Sequence, residues 1–145
     1  MVTCCFFGHK DAPSSLYAKL EAAVENLIIE NYVSSFLVGN QGHFDRMALD
    51  ALRKLKIKYP YINYNVVLAY MPGEKEEWNP YHYGETILPE GIESVHPKYA
   101  ISWRNKWLVN ESDIVVAYIT HSWGGAAQYV EKARKKGKLI VNLAL

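Results

Sequence analysis

The sequence lacks the two best-known signatures of nucleotide-binding enzymes. It contains neither the GxGxxG fingerprint of ordinary NAD dehydrogenases nor the GxxxxGK[ST] loop of the P-loop enzymes. In both motifs, glycines bring the backbone close to phosphate at a helix N-terminus. Their absence argues against both enzyme classes.

Cysteine is scarce. The only two cysteines, Cys4 and Cys5, are adjacent, and neighbours in an extended strand point to opposite faces, so they are poorly placed to pair. No CxxC or Cys/His spacing indicates a zinc site. We therefore expect reduced core thiols, no metal and no cofactor, in keeping with a cytoplasmic protein.

The chain also has little excess charge and no long apolar run. Its formal net charge is +1, which argues against a large basic face and makes nucleic acid an unlikely partner. The one basic run, within residues 132–138, ends a predicted helix and is interpreted as a solvated face. No segment approaches the roughly 18 apolar residues of a membrane span, and no basic leader precedes the first strand. These features predict a cytoplasmic protein without a membrane partner.

What is present is a regular alternation of strand and helix patterns over a length, 145 residues, that suits one domain. Predicted strands cover residues 2–7, 35–38, 64–71, 114–119 and 139–145. Predicted helices cover residues 14–28, 44–55, 98–110 and 124–136. Most of the strands are continuously apolar, which is typical of a parallel sheet covered on both faces. We predict a Rossmann-like α/β fold over residues 1–145, with a doubly wound five-stranded sheet in the order 3-2-1-4-5.

One long segment, at about residues 72–95, has no clear period and is rich in aromatic residues, proline and glycine. Connections of this length are uncommon in compact domains and are usually functional or disordered. The aromatic content disfavours disorder. Two interpretations stay open: a loop that covers a ligand or contacts another subunit, and a packed excursion of the fold.

Glycine and polar side chains follow three of the predicted strands. These residues are Gly8, His9 and Lys10; Gly39, Asn40, Gln41, Gly42, His43 and Asp45; and His121, Gly124 and Gly125. Glycine permits close approach of the backbone, and the helix that follows offers free N–H groups to an anion. Because the carboxyl ends of parallel strands meet at one edge, we expect these loops to form a ligand-binding crevice.

Several side chains near this edge have alternative interpretations. The three histidines at positions 9, 43 and 121 could in principle bind zinc, but hydrogen bonding to a ligand or to loop backbone is favoured. Arg104 lies beside the apolar stripe of its helix and is either a surface arginine or a guanidinium that reaches a phosphate. Glu131, alone on a helix, is ordinarily a solvated residue.

These motifs together resemble the SLOG superfamily, and within it the YpsA-like group. The resemblance covers nearly the whole chain, and these segments carry it: Phe7-Gly8-His9-Lys10, Val38 to Asp45, Pro89-Glu90-Gly91, Arg104-Asn105-Lys106-Trp107 and Gly124-Gly125-Ala126. It implies a Rossmann-like fold that binds nucleotides, nucleotide-sugar derivatives or nucleic acid at the strand ends.

The related Lonely-guy enzymes hydrolyse the N-glycosidic bond of nucleoside monophosphates, with an arginine before the fourth strand and PGGxGTxxE after it. Arg104, the pair Gly124-Gly125, and Glu131 are similar to these elements, which implies catalytic roles for Arg104 and Glu131. Three positions of this motif differ in the chain: its proline is Trp123, its third glycine is Ala127 and its threonine is Gln128. The phosphate-binding loop that the resemblance implies is therefore altered.

Three functions follow from these observations. The favoured one is a binding protein or sensor for a nucleotide or nucleotide-derived small molecule. The first alternative is an N-glycosidic hydrolase of a nucleotide, of the phosphoribohydrolase type. The second is a DNA-associated or partner-binding protein. The resemblance also implies a homo-oligomer, expected to be a dimer.

Overall fold

The structure, a computed structural model, describes residues 1–71 and 80–145. Its strands are β1 (Val2–Gly8), β2 (Val33–Val38), β3 (Asn63–Val67), β4 (Thr86–Ile87), β5 (Ile114–Tyr118) and β6 (Leu139–Asn142). Its α-helices are α1 (Tyr17–Glu30), α2 (His43–Lys58), α3 (Ala100–Glu111) and α4 (Gly125–Lys135). Short 3-10 turns cover Ser14–Leu16, Ile92–Ser94 and Pro97–Tyr99.

The sheet is parallel throughout and has the order β4-β3-β2-β1-β5-β6. The Rossmann-like α/β class is confirmed, and the five predicted strands occupy their predicted relative positions. The predicted count of five was wrong, because β4 adds a sixth strand beside β3. β4 has only two residues, which are too few to produce a periodic pattern. They pair with β3: Thr86 with Val66 and Ile87 with Val67.

The helices cover both faces of the sheet, as the continuously apolar strands predict. One core cluster combines Cys4 and Phe6 with residues of α1 and α2, and a second combines Cys5 and Phe7 with residues of α3 and α4. The two cysteines are buried and free, on opposite faces of β1. This confirms the expectation that they form no disulfide with each other.

The long aromatic segment is only partly described. Its first part, residues 72–79, lies outside the described residues. The remainder contains β4 and a 3-10 turn, and it buries Glu85 and Ile92. The described part therefore packs on the fold as an extension of the sheet edge.

Burial on α3 differs from the predicted apolar stripe, which consists of Ala100, Trp103, Trp107 and Leu108. The fully covered positions include Ala100, Arg104 and Leu108, which are four residues apart and so form one helix face. Trp103 and Trp107 are only half-buried beside this face. The interpretation of Arg104 as a surface arginine was wrong, since its side chain is among the largest that the fold buries completely.

Among residues 1–71 and 80–145, no helix combines the length and the apolar composition that crossing a bilayer requires.

Candidate ligand-binding site at the strand ends

A cleft of about 480 Å³ lies beyond the carboxyl ends of β1, β2 and β5. The order of the sheet reverses between β1 and β5, which is where ligands bind in open α/β sheets. The following predicted residues line the cleft: Gly8, His9, Lys10, Gly39, Gln41, Asp45, Arg104, Gly124 and Gly125. The apolar part of the cleft wall is formed by Phe7, Ile101, Leu108 and Ala126. The three loops predicted to converge therefore do so.

The glycines of the cleft serve different purposes. A Cβ on Gly8 would lie 2.3 Å from Cγ of Phe44, so this glycine admits the Phe44 ring and not a ligand. A Cβ on Gly125 would meet no atom within 4 Å, so the space above the start of α4 is open. Gly42 and Gly124 have φ values of 106° and 96°, which disfavour any other residue there.

Helix α4 begins at this open space without a side-chain cap. Its N-cap residue, Gly124, accepts the hydrogen bond of Gln128 N–H, while the N–H groups of the first turn have no partner inside the helix. These N–H groups and the positive end of the helix dipole favour an anion. Lys10, exposed and lining the same cleft, adds a cation.

Arg104 joins the loop after β2 to the end of β3. Its Nη1 donates to Oδ1 of Asn40 at 3.0 Å and to the carbonyl of Val67 at 2.9 Å, and its Nε donates to Oδ1 of Asn105 at 3.0 Å. Burial lowers the pKa of the guanidinium, while the carboxylate of Asp45 acts in the opposite direction. Arg104 thus holds the cleft together as well as lining it.

Asp45 lies in the first turn of α2, where a negative charge suits the helix dipole. Its Oδ2 accepts the N–H of Gln41 at 2.8 Å. Burial raises the pKa of Asp45 to about 6, although the Gln41 hydrogen bond and the charge of Arg104 both act to lower it. The carboxyl therefore changes its charge within the mildly acidic range.

His9 forms one wall of the cleft in a column of three rings. Its ring stacks on His121 with centroids 3.7 Å apart, and His121 stacks on Trp123 at the same distance. His9 is only 7% exposed, and its Nε2 is buried with no hydrogen-bond partner in the described part of the chain. Burial lowers the pKa of His9, and the nearby charge of His121 adds to the effect. The charge of Asp11 and a hydrogen bond with the backbone of His121 act in the opposite direction.

Other predicted residues lie outside this cleft. Nδ1 of His43 is 2.9 Å from the carbonyl of Ala12, so this ring is engaged with loop backbone. Asn40 and Gly42 line a neighbouring cleft of about 220 Å³ together with Arg53 and Tyr81. The two clefts adjoin, since Gly39 and Asp45 line both. Asn40 accepts a hydrogen bond from Arg104, and a Cβ on Gly42 would lie 3.5 Å from Cγ of Lys10.

Glu131 also lies apart from Arg104. It is exposed, accepts a hydrogen bond from Nη1 of Arg134 at 2.6 Å, and lines a different cleft of about 450 Å³. His121 and Ser122 also line this cleft of about 450 Å³. The structure does not bring the predicted catalytic pair, Arg104 and Glu131, to one cavity.

No cluster of three or more histidine, cysteine, aspartate or glutamate side chains is arranged to hold a metal ion among residues 1–71 and 80–145. The three strand-end histidines differ in their contacts. The rings at positions 9 and 121 stack face to face, and His43 faces Ala12.

Sequence reasoning missed Glu85, the carboxylate that anchors the sheet edge. Its side chain is almost fully buried, since Glu85 is 5% exposed. The carboxylate accepts hydrogen bonds from Nε and Nη2 of Arg53 at 2.9 and 2.8 Å. It also accepts hydrogen bonds from the hydroxyl of Tyr64 and from the N–H of His82, both at 2.6 Å. The hydrogen bonds of Arg53 are the largest cause that lowers the pKa of Glu85 to about 2. No spacing in the sequence links residues 53, 64 and 85, so no local pattern could have indicated this site.

The comparisons with known proteins agree with this architecture. No family model matches the sequence, and no curated protein matches it. Among solved structures, the chain is similar to DNA processing protein A (DprA) from Streptococcus pneumoniae, with a TM-score of 0.64 and 14% sequence identity. The match covers 97% of this chain and 49% of that protein, so the chain spans about half of its length. The chain therefore shares its Rossmann-like α/β fold with part of a DNA processing protein.

Proposed function

We propose that this chain is a binding protein for a nucleotide or nucleotide-derived small molecule, held in the cleft between β1 and β5. The observation that carries the proposal is the open, uncapped start of α4 facing the same cleft as Lys10. Helix N–H groups, a helix dipole and one cation together suit a phosphate. The apolar wall formed by Phe7, Ile101 and Leu108 suits the uncharged part of such a ligand.

The proposal includes the distant SLOG relationship that the strand-end motifs imply, with the YpsA-like group as its finer form. The fold shared with DprA supports the Rossmann-like part of this relationship. Dimerisation and a cytoplasmic location remain predictions.

Hydrolysis of an N-glycosidic bond remains an alternative prediction with less support. It requires Arg104 and Glu131 to act on one ligand, and they line different clefts. The exposed ion pair of Glu131 with Arg134 gives this carboxylate an ordinary surface role.

A specific observation favours nucleic acid as a second candidate ligand. A groove of about 330 Å³ between α3 and α4 is lined by Lys106, Lys132, Lys135 and Lys136. None of these lysines forms an ion pair with a carboxylate in the described residues. The name of the structurally similar protein concerns DNA, and an unneutralised basic groove is what a phosphate backbone requires.

Melting temperatures of the wild-type protein with a nucleotide panel test the main proposal. AMP, ADP and ADP-ribose should raise the melting temperature, with adenosine and inorganic phosphate as partial ligands for comparison. A ligand at about 100 times its Kd adds about 2.7 kcal/mol to the free energy of unfolding, which is a shift of several degrees. Gly125→Val fills the open space and Lys10→Ala removes the cation, so each should reduce the shift. Lys98→Ala, on an exposed surface residue, should not.

The remaining outcomes separate the candidates. If no nucleotide stabilises the protein, or if Gly125→Val leaves the shift unchanged, the proposed site is wrong. Release of free base that disappears in Glu131→Ala would establish hydrolysis. Binding of single-stranded DNA with a steep salt dependence, lost when the four groove lysines become alanine, would favour the second candidate.

A further inference from the structure

His9 is held at the cleft wall by backbone hydrogen bonds and by ring stacking. Its N–H donates to the carbonyl of Tyr118 at 3.1 Å, and its carbonyl accepts the N–H of Ala12 at 3.2 Å. The ring is stacked on His121, which is itself covered by Trp123 and whose Nδ1 lies 2.9 Å from the carbonyl of Trp123. A side chain fixed by its backbone and by stacking loses little conformational entropy when it binds a ligand.

The hydrogen bonding of the ring nitrogen Nε2 of His9 is incomplete in the structure. It is buried and has no hydrogen-bond partner among residues 1–71 and 80–145. An unsatisfied buried polar atom costs free energy, and native folds seldom retain one without a reason. His9 is one of the residues that line the cleft, and a polar group of a bound ligand is the partner that we infer for Nε2.

The chemistry of His9 differs from that of its neighbour Lys10. Burial and the charge of His121 favour the neutral imidazole, which has one donor and one acceptor nitrogen and no charge to offer an anion. Lys10 and the first turn of α4 are the groups that suit a phosphate. His9 therefore suits an uncharged group, and a hydroxyl fits either tautomer because it both donates and accepts.

We propose that Nε2 of His9 hydrogen-bonds a ribose hydroxyl of the bound ligand and makes the cleft selective for ribosyl over deoxyribosyl phosphates. This inference rests on the proposed function. His9 and Lys10 are consecutive and line one cleft, so one ligand can contact both. In a nucleotide, the hydroxyls belong to the sugar that bears the phosphate. His121 and Trp123 are positioning residues for the imidazole.

Calorimetric titration with AMP, 2′-deoxy-AMP and 3′-deoxy-AMP tests the inference. The wild-type protein should bind AMP about tenfold more tightly than at least one of the deoxy compounds, which is the usual effect of one buried hydrogen bond. His9→Phe keeps a ring to stack on His121 but removes both nitrogens, so it should bind all three compounds within about twofold. His96→Ala, at an exposed histidine, should keep the wild-type preference.

The failures are distinguishable. If the wild-type protein binds all three compounds within twofold, or if His9→Phe keeps the preference, the role of His9 is wrong while nucleotide binding stands. If none of the three compounds binds, this inference fails, and the proposed function fails with it only if ADP and ADP-ribose do not stabilise the protein either. Should His9→Phe not fold, imidazole ¹⁵N resonances of the wild-type protein decide. The Nε2 resonance of His9 should shift with AMP and not with the disfavoured deoxy compound, and equal shifts would overturn the proposal.

Discussion

Glu85 illustrates how much a single buried carboxylate contributes at the edge of this sheet. It accepts two hydrogen bonds from Arg53 on α2, one from Tyr64 on β3 and one from the backbone of His82. A carboxylate with this many donors is stabilised in its ionised form. Burial, together with the Glu85 hydrogen bond, raises the pKa of Tyr64 to about 12. The next residues, Thr86 and Ile87, are the edge strand itself, so Glu85 ties β4 to the fold.

We expect Glu85→Gln to lower the free energy of unfolding at pH 7 by about 3 kcal/mol. The pKa of Glu85 is about 2 in the folded protein against an ordinary 4.5, and each pKa unit corresponds to about 1.4 kcal/mol. Because the folded-state pKa is the lower one, this stabilisation is complete above about pH 4.5 and is lost as the pH falls towards 2. Urea unfolding of both proteins at pH 7 and pH 3 measures it.

Glu93→Gln is the matched control, because Glu93 is exposed and surface substitutions change stability by about 0.5 kcal/mol or less. Equal stability of Glu85→Gln and Glu93→Gln at pH 7 would contradict the assignment.

Asp45 has the opposite pH dependence. Its pKa rises from 3.8 to about 6 on folding, so its favourable contribution is complete below about pH 3.8 and is lost as the pH rises through 6. We expect Asp45→Asn to raise the free energy of unfolding at pH 7 by about 1 to 3 kcal/mol. The amide oxygen of asparagine can still accept the N–H of Gln41. The gain should shrink at pH 4, as measured by urea unfolding at both values.

Asp50→Asn, at a half-exposed side chain on the same helix, should give no such gain. An Asp45→Asn protein that is less stable than wild type at pH 7 would show that the attraction between Asp45 and the charge of Arg104 outweighs the cost of burial.

At the scale of elements, β1 and α2 meet through one close contact. Gly8 ends β1, and Phe44 in the first turn of α2 is 1% exposed, with its ring where a Cβ on Gly8 would stand. The same turn follows the loop from Gly39 to Gly42 that joins β2 to α2. This packing sets how closely α2 approaches the cleft.

We expect Gly8→Ala to destabilise the protein by about 1 to 3 kcal/mol, because a Cβ at 2.3 Å from the Phe44 ring forces strand or helix to shift. Gly125→Ala is the control at another cleft glycine, since its Cβ would meet nothing within 4 Å. Urea unfolding compares the two.

Adding Phe44→Leu should recover part of the loss in Gly8→Ala, because a smaller side chain leaves room for the methyl group. If Gly8→Ala and Gly125→Ala were equally stable, the close contact would not be what requires glycine at position 8.

At the scale of the whole molecule, the two faces of the sheet differ in charge. On the face of α1 and α2, Lys54 and Lys58 each pair with a glutamate of α1, with N–O distances of 3.0 Å. On the face of α3 and α4, the four groove lysines have no such partner in the described residues. A net charge of +1 averages over these faces. Near-neutrality of the whole chain therefore does not describe the surface of α3 and α4.

The sequence by itself determined the fold class, the relative order of five strands and the convergence of three strand-end loops. These depend on local patterns, namely apolar periodicity and glycine at strand ends, combined with the handedness of parallel crossovers. They required no knowledge of which distant side chains meet.

Only the tertiary structure decided the rest, because it depends on contacts between residues far apart in the chain. The spacing of Arg104 from Ala100 and Leu108 could have indicated its burial, but its partners Asn40 and Val67 lie on other elements. Folding placed Glu131 away from the cleft that Arg104 lines, and it stacked His9 on His121 across two strand ends. It also left Nε2 of His9 buried without a partner in the described residues, and the proposed selectivity rests on that atom.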